Sequence, residues 1–266
     1  MLQQLHKPDR IVVGLTDRRQ RMPVYELLDL NFAGILVEEA STLFEVIFGR
    51  ISMFQLRPSQ LIYSRELGPR PLTVKLQSVY SFTIATAGLA VLSPAMFIIA
   101  ILVRLSSPGP ALYRQTRVGR NGVPFTLYKF RSMRRDAEAA SGPVWASHND
   151  PRVTRFGRWL RRMRLDELPQ LINVIRGEMS LVGPRPERPE FVAELTERIP
   201  FYRQRHFIKP GITGWAQINH RYGDTIEDTI TKLEYDLYYI KNLSPALDFF
   251  IIAHTIKVML LTRGAQ

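Results

Sequence analysis

Asp166 and Glu167 stand side by side in the run Arg164-Leu-Asp-Glu-Leu-Pro-Gln-Leu-Ile-Asn-Val-Ile-Arg-Gly177, and Arg185, set between Pro184 and Pro186, follows Asp166 by nineteen residues. Adjacent carboxylates near guanidinium groups suit phosphate chemistry. One ionised carboxylate can attack phosphorus to give an acyl-phosphate, and its neighbour can hold a magnesium ion that screens a diphosphate. Proline is tolerated in a helix only in the first turn, so Pro169 predicts a helix that begins near Asp166, runs through Leu171, Ile172 and Ile175 to Arg176, and stops at Gly177. The free N–H groups and dipole of such a helix mouth favour an anion, which predicts that Asp166 is ionised at neutral pH. The same pair would serve equally as an N-cap and first-turn acid with no catalytic part. Val182-Gly-Pro-Arg185-Pro-Glu187 adds a guanidinium on a proline-stiffened backbone, as a bidentate phosphate clamp requires. A rigid surface turn carrying a solvated arginine is its plain alternative.

A chain of 266 residues with 45% hydrophobic content can bury a real core, with room for one full domain and a smaller piece. Its formal charge of +12 calls for an anionic partner, whether nucleic acid, acidic lipid headgroups or phosphate-rich substrates. The absence of cysteine excludes disulfides, thiolate zinc sites and cysteine nucleophiles. Six arginines crowd residues 152 to 164 and could form a stripe along a helix face that grips DNA. They lie beside the carboxylates, however, and no helix-turn-helix, finger or RNA-binding signature accompanies them, so a membrane-surface or phosphate role explains them better. The five histidines show no metal-ligand spacing, and His206, His220 and His254 read as structural.

The elements that must position these groups begin with short alternating pieces. Strand Ile11 to Leu15, a helix from Pro23 to about Asn31, strand Gly34 to Glu38 and a helix capped by the box Thr42-x-x-Glu45 are predicted for residues 1 to 71. No glycine-rich phosphate fingerprint occurs there, so nucleotide binding by this segment is not supported. A linker with Gly68-Pro69-Arg70-Pro71 follows. Val79 to Val103 is then a stretch of 25 residues without a charge, long enough as one helix to cross a hydrocarbon core of about 30 Å. Pro94 predicts a break at Ser93-Pro94, leaving arms of about 22 and 14 Å, each too short to cross. Arg70 and Lys75 before the segment, and Arg104, Arg114 and Arg117 after it, favour both ends on the cytoplasmic side. A re-entrant helix-break-helix at about residues 77–105 meets all of this, with a straight span as the competing arrangement. An N-terminal signal peptide is excluded by position.

Asn121-Gly122 between the alternating stretches Tyr113 to Val118 and Phe125 to Phe130 predicts a β-hairpin, with Lys129 and Arg131 projecting from its end as phosphate-contact candidates or solvated charges. Pro210-Gly211 and Gly214 form a tight loop presenting Trp215, which suits stacking on a base, the bilayer interface or core packing. Leu247 to Leu261 suits a helix lying on the membrane or on the catalytic domain.

With these residues in view, the chain resembles the bacterial sugar transferases, the monotopic polyprenyl-phosphate phosphoglycosyl transferases. The resemblance covers about residues 77 to 263. It rests on the blocks Leu105 to Gly122, Tyr128-Lys-Phe-Arg-Ser-Met133, the carboxylate run with Val182 to Glu187, and Lys209-Pro-Gly-Ile-Thr-Gly-Trp-Ala-Gln217. Val144-Trp-Ala-Ser147, Arg185-Pro-Glu-Arg-Pro-Glu-Phe191 and Tyr235-Asp-Leu-Tyr-Tyr-Ile-Lys241 are most similar to the subgroup associated with exosortase-type exopolysaccharide loci. The resemblance implies that Asp166 attacks a UDP-sugar, expels UMP and carries the phosphosugar until undecaprenyl phosphate takes it. Glu167 matches the family's magnesium-associated carboxylate and Arg185 its phosphate-binding arginine. Arg161 and Arg221 lie where the family places further substrate-contacting arginines, although headgroup-facing or solvated charges fit both equally. The membrane element with its Ser93-Pro94 break is implied as well.

In one place the chain departs from the family. Members usually open the membrane helix with a basic pair and an aspartate, whereas Gln77-Ser-Val-Tyr-Ser81 stands here, which predicts weaker anchoring or a shift of that role to Lys75. Larger members carry membrane helices and a Rossmann-like module ahead of the transferase, and residues 1–71 resemble the later part of such a module. The expected fold class is therefore mixed α/β, with a partial Rossmann-like segment at 1–71 and a membrane-anchored transferase domain at 72–266. The expected partners are a UDP-sugar, undecaprenyl phosphate and membrane lipids, with Mg2+ as cofactor, a homo-oligomer left open and no nucleic acid. The expected location is the cytoplasmic face of the bacterial inner membrane. A catalytically inactive basic protein binding acidic lipid or nucleic acid at the membrane surface is the alternative from another class.

Overall fold

The structure is a computed structural model and describes residues 8–14, 22–54, 68, 70–134, 137, 150–220 and 225–261. The chain divides into two compact units, Met1–Leu67 and Gly68–Gln266.

In the first unit, strand β1 (Arg10–Val13) pairs in parallel with β2 (Leu36–Glu39), and helix α1 (Val24–Phe32) forms the crossover between them. Helix α2 (Ala40–Phe48) follows β2 with no intervening loop. The predicted box at Thr42 and Glu45 is therefore not the cap. Glu39 occupies the N-cap, its carboxylate accepting from the Ser41 hydroxyl at 3.2 Å rather than capping a backbone amide, and Thr42 falls inside the first turn.

The second unit opens with α3 (Pro71–Ser106), a 36-residue helix about 54 Å long at the standard rise. Pro71 at its first position has no N–H to leave unsatisfied. The helix continues through Ser93 and Pro94, so the two arms expected at this point are joined. A local substitution accounts for the continuity. Pro94 cannot donate to the Ala90 carbonyl four residues back, and the Ser93 hydroxyl donates to that carbonyl instead at 3.0 Å. Val74, Gln77, Ser81, Ala85, Ile99 and Val103 are buried on one face, and Gly88 and Met96 continue that face between them. Every step along it is three or four residues or a sum of these, so a single helical stripe meets the domain along nearly the whole element. The opposite face is apolar and exposed, with Leu72, Val79, Val91, Phe97, Ile98 and Leu105 all more than half accessible.

Strands β3 (Leu112–Val118) and β4 (Pro124–Phe130) form the predicted antiparallel hairpin, in register from Leu112↔Phe130 to Val118↔Pro124. Asn121 and Gly122 both take positive φ in its turn, the conformation for which those residues are preferred. Helix α4 (Arg155–Arg162), capped by the Thr154 side chain, leads into a 3-10 turn at Leu165–Glu167 and the short helix α5 (Gln170–Ile175). Strand β5 (Ser180–Val182) pairs in parallel with β6 (Gly211–Thr213). Helices α6 (Pro189–Arg198), α7 (Trp215–Asn219), α8 (Ile226–Lys241) and α9 (Pro245–Leu260) complete the unit. Ile99 and Val103 of α3 pack with Phe130 and Leu160, so the membrane-candidate helix and the hairpin share one core. Trp215 packs rather than protrudes, its ring stacked on Tyr238 at 5.7 Å between centroids and tilted against Phe250.

Candidate active site

Asp166 and Glu167 lie in the 3-10 turn, both buried, and not at the mouth of a helix as predicted. Helix α5 starts four residues after Asp166, with Pro169 at its N-cap, and Gly177 at φ +77° follows its end. Three backbone amides here are committed to bonds within the turn and its exit. Glu167 N–H donates to Arg164 O, Leu168 N–H to Leu165 O and Leu171 N–H to Leu168 O. The charges that stabilise the Glu167 carboxylate at this turn come from side chains.

Those side chains arrive from distant segments. Arg185 donates through Nη2 to Glu167 Oε1 at 2.6 Å, and Lys129 Nζ reaches the same oxygen at 3.3 Å. Burial opposes ionisation of Glu167, but the charges of Arg185, Lys129 and Arg164 outweigh it and hold its pKa well below the usual range. Asp166 shifts the other way. Burial and the adjacent Glu167 charge raise its pKa, against the opposing charges of Lys129, Arg161 and Arg185. This reverses the direction expected from a helix dipole. Neighbouring carboxylates are thus separated in character, one fixed as an anion and one more basic than an ordinary aspartate.

The local geometry follows from a few anchors. Arg164 adopts φ +52°, an uncommon left-handed conformation for an arginine, which turns the chain from α4 into the carboxylate turn. Asn173 of α5 is fully buried, accepts from Tyr128 N–H and donates to Thr126 O, which pins α5 to β4 and sets Lys129 over the turn. On the other side, Val118 N–H donates to Glu187 O and Arg117 Nη1 donates to Pro186 O, so the hairpin also carries the Arg185 segment. Gly183, Gly211 and Gly214 pack backbone against backbone. A Cβ on Gly211 would stand 2.1 Å from Gly183 N, which only glycine avoids. A small cleft lined by Arg117, Lys129, Gln170, Arg185, Leu127 and Pro186 opens beside the carboxylates.

Lys129, Arg185 and Arg161 thus act on the pair, Arg161 through its charge on Asp166. Arg131 is spent elsewhere. Its guanidinium donates to the carbonyls of Val103, Ser107 and Pro108 and caps the end of α3, so in place of the expected phosphate contact it makes a helix-terminus contact. Arg221 lies outside the described residues. The sequence reading missed Arg117, which lines the cleft from a position remote in the chain, and Gln170, which lines it from three residues beyond Glu167. It also missed Arg205, whose buried guanidinium pairs with Asp236 at 2.8 Å and donates to Arg185 O at 3.0 Å. Only the density of arginine before Asp166 could have flagged Arg164.

Magnesium was expected at Glu167. Among the described residues no group of three or more His, Cys, Asp or Glu could form a closed protein cage. A magnesium ion commonly takes one or two carboxylates and fills its shell with water and phosphate oxygens, so Asp166 and Glu167 are the donors it would need here, Glu167 Oε1 being already engaged by Arg185 and Lys129.

This arrangement occurs in a chain that belongs to the bacterial sugar transferase family, whose profile matches residues 71–262. The chain is 42% identical over 234 residues to the UDP-N-acetylgalactosamine-undecaprenyl-phosphate N-acetylgalactosaminephosphotransferase of Aeromonas hydrophila, covering 88% of this chain and 54% of that protein. It is 40% identical over 241 residues to the UDP-glucose:undecaprenyl-phosphate glucose-1-phosphate transferase of Escherichia coli strain K12, covering 90% and 51%. It is 43% identical over 194 residues to the exopolysaccharide production protein PSS of Rhizobium leguminosarum, covering 71% of this chain and 96% of that one. The chain spans about half the length of the first two relatives.

Proposed function

We propose that the chain is a phosphoglycosyl transferase that moves a phosphosugar from a UDP-sugar to undecaprenyl phosphate through a covalent intermediate on Asp166. The observation that carries this reading is the division of labour between the carboxylates, in which Arg185 and Lys129 bind Glu167 and leave Asp166 as the more basic neighbour. An Asp166 oxygen attacks the sugar-linked phosphorus, the bond from that phosphorus to the bridging oxygen breaks, and UMP leaves with the electron pair. An oxygen of the lipid phosphate then attacks the same phosphorus and restores the Asp166 carboxylate. Arg185, Lys129 and Arg117 line the small cleft beside Glu167 and would supply, to a diphosphate bound at its mouth, the charge that phosphoryl transfer needs at its oxygens. Asp166 and Glu167 would hold magnesium, which supplies further screening of the diphosphate when bound.

The substrate lipid sets the location. Helix α3 is long and apolar enough to cross a membrane. One face of it, however, is packed on the domain from Val74 to Val103, while the other face is apolar and exposed. Crossing the bilayer straight would carry the polar surface of the attached domain into hydrocarbon, at several kcal/mol per unsatisfied group. This favours a helix seated in one leaflet with its exposed face toward lipid over a straight span, with the site at the cytoplasmic face of the inner membrane, where the flanking arginines and lysines are expected.

The test is to incubate the protein with a panel of UDP-sugars without lipid. A stoichiometric burst of UMP and a phosphosugar adduct on Asp166 by mass spectrometry are expected, both lost in Asp166→Asn. UMP release that requires undecaprenyl phosphate and leaves no adduct would replace the covalent route with direct attack by the lipid.

A further inference from the structure

Gln77, at the point where the chain departs from the family's basic pair, is almost wholly buried and sits on the membrane-candidate helix. Its amide Nε2 lies 2.7 Å from Tyr239 Oη, 2.8 Å from Asp248 Oδ2 and 3.2 Å from Val182 O. Tyr239 in turn donates toward Asp248 Oδ1 at 2.6 Å and stands 3.3 Å from Val182 O, and the Tyr80 hydroxyl donates to Asp248 Oδ2. The Asp248 carboxylate of α9 and the Val182 carbonyl are therefore held by groups from α3 and α8 together.

The position of that carbonyl gives the network its consequence. Val182 ends β5, and only Gly183 and Pro184 separate it from Arg185. At the far end of the segment the Arg185 carbonyl is held by Arg205, which Asp236 and Tyr202 fix in turn. Both ends of the four-residue segment that carries the guanidinium are thus tied by buried polar groups. The Asp236 tie lies wholly within the catalytic domain, whereas the other runs to the membrane helix.

We propose that Gln77 is a positioning residue for Arg185, so that the seat of α3 on the domain sets the place of the phosphate-binding guanidinium. This rests on the reading that Arg185 holds the phosphate. An amide NH2 carries two hydrogens for the three acceptors within its reach, and Val182 O has the longest of the contacts from both Gln77 and Tyr239. A lysine at position 77 would bring three hydrogens to the same three acceptors and a positive charge to the Asp248 carboxylate. The glutamine is accordingly a neutral occupant of a site that a cation would fill, and the expectation of weaker anchoring at this end gives way to a buried polar joint.

The test compares the full chain in lipid nanodiscs with Gln77→Met, which keeps the volume and removes the donors, and with Gln77→Lys. Hydrogen–deuterium exchange is followed at residues 181–186 and at the hairpin, residues 112–130, beside UMP release from UDP-glucose and UDP-N-acetylgalactosamine. In Gln77→Met, exchange should rise at 181–186 and not in the hairpin, kcat/KM should fall about tenfold as expected for a misplaced binding group, and the melting temperature should stay within about 5 °C. Gln77→Lys should return both readouts to wild type. Wild-type exchange and kinetics in Gln77→Met overturn the proposal, as does a Gln77→Lys that remains as slow as Gln77→Met. Should Gln77→Met not fold, Tyr239→Phe, which removes only the bridging hydroxyl, takes its place with the same expected and overturning results. If neither nucleotide sugar yields UMP with the wild type, the transferase reading fails while the exchange comparison still decides the positioning claim.

Discussion

The two segments that make the candidate site are built in opposite ways. The carboxylate turn at 164–170 is held by short-range bonds, Glu167 to Arg164, Leu168 to Leu165 and Leu171 to Leu168, and its shape is written in a local run of residues. The Arg185 segment has bonds to residues 77, 117, 118, 205, 211 and 239 and owes its place to most of the domain. On the proposed mechanism the nucleophile lies in the first segment and the charge that tunes it in the second. The guanidinium of Arg185 is the foremost of the charges that hold Glu167 as the anion.

The largest expected effect breaks the comparison at its chemical end. Asp166→Asn should lower UMP release at least about a thousandfold, as loss of a nucleophile does, while the protein still sediments with membranes. Arg185→Lys comes next. It keeps the charge but loses the planar fork, and kcat/KM should fall by about two orders of magnitude in the same UMP assay. Arg205→Met leaves the buried Asp236 without its partner and should cost about 3 to 5 kcal/mol of stability by denaturant titration.

A subtler change sharpens the electrostatic half of the argument. Asp166 must be ionised to attack, so the rate should rise with pH through its pKa, which burial and Glu167 place above that of an ordinary aspartate. The Lys129 ammonium favours the ionised form and lowers that pKa, so Lys129→Met should move the acid limb of the kcat/KM profile to higher pH. The smallest effect serves as a control. Arg198→Ala breaks only an exposed pair with Glu194 on α6 and should change stability by less than about 0.5 kcal/mol.

Legibility followed the same division. The β3–β4 hairpin was readable because Asn121-Gly122 specifies its turn and alternation specifies its faces. The continuity of α3 was not, because Pro94 alone predicts a break and only the placement of Ser93 supplies the bond that offsets it. Arg131 looked like a phosphate ligand from its place at a strand end, yet the packing of α3 on β4 turned it to the helix terminus. Gln77 read as a gap in a family pattern, and its three partners, separated from it by 105 residues or more, gave it a task.

By itself, the order of residues determined the family, the apolar helix, the hairpin and the adjacent carboxylates with their proline-flanked arginine, because each depends on composition, period or neighbours within a few positions. Which carboxylate stays charged, which arginines line the cleft and how the long apolar helix meets the site were decided only in three dimensions. Charges act through space over a few ångströms inside a buried site, and the groups that act on Asp166 and Glu167 come within that range only after segments far apart in the chain have packed together.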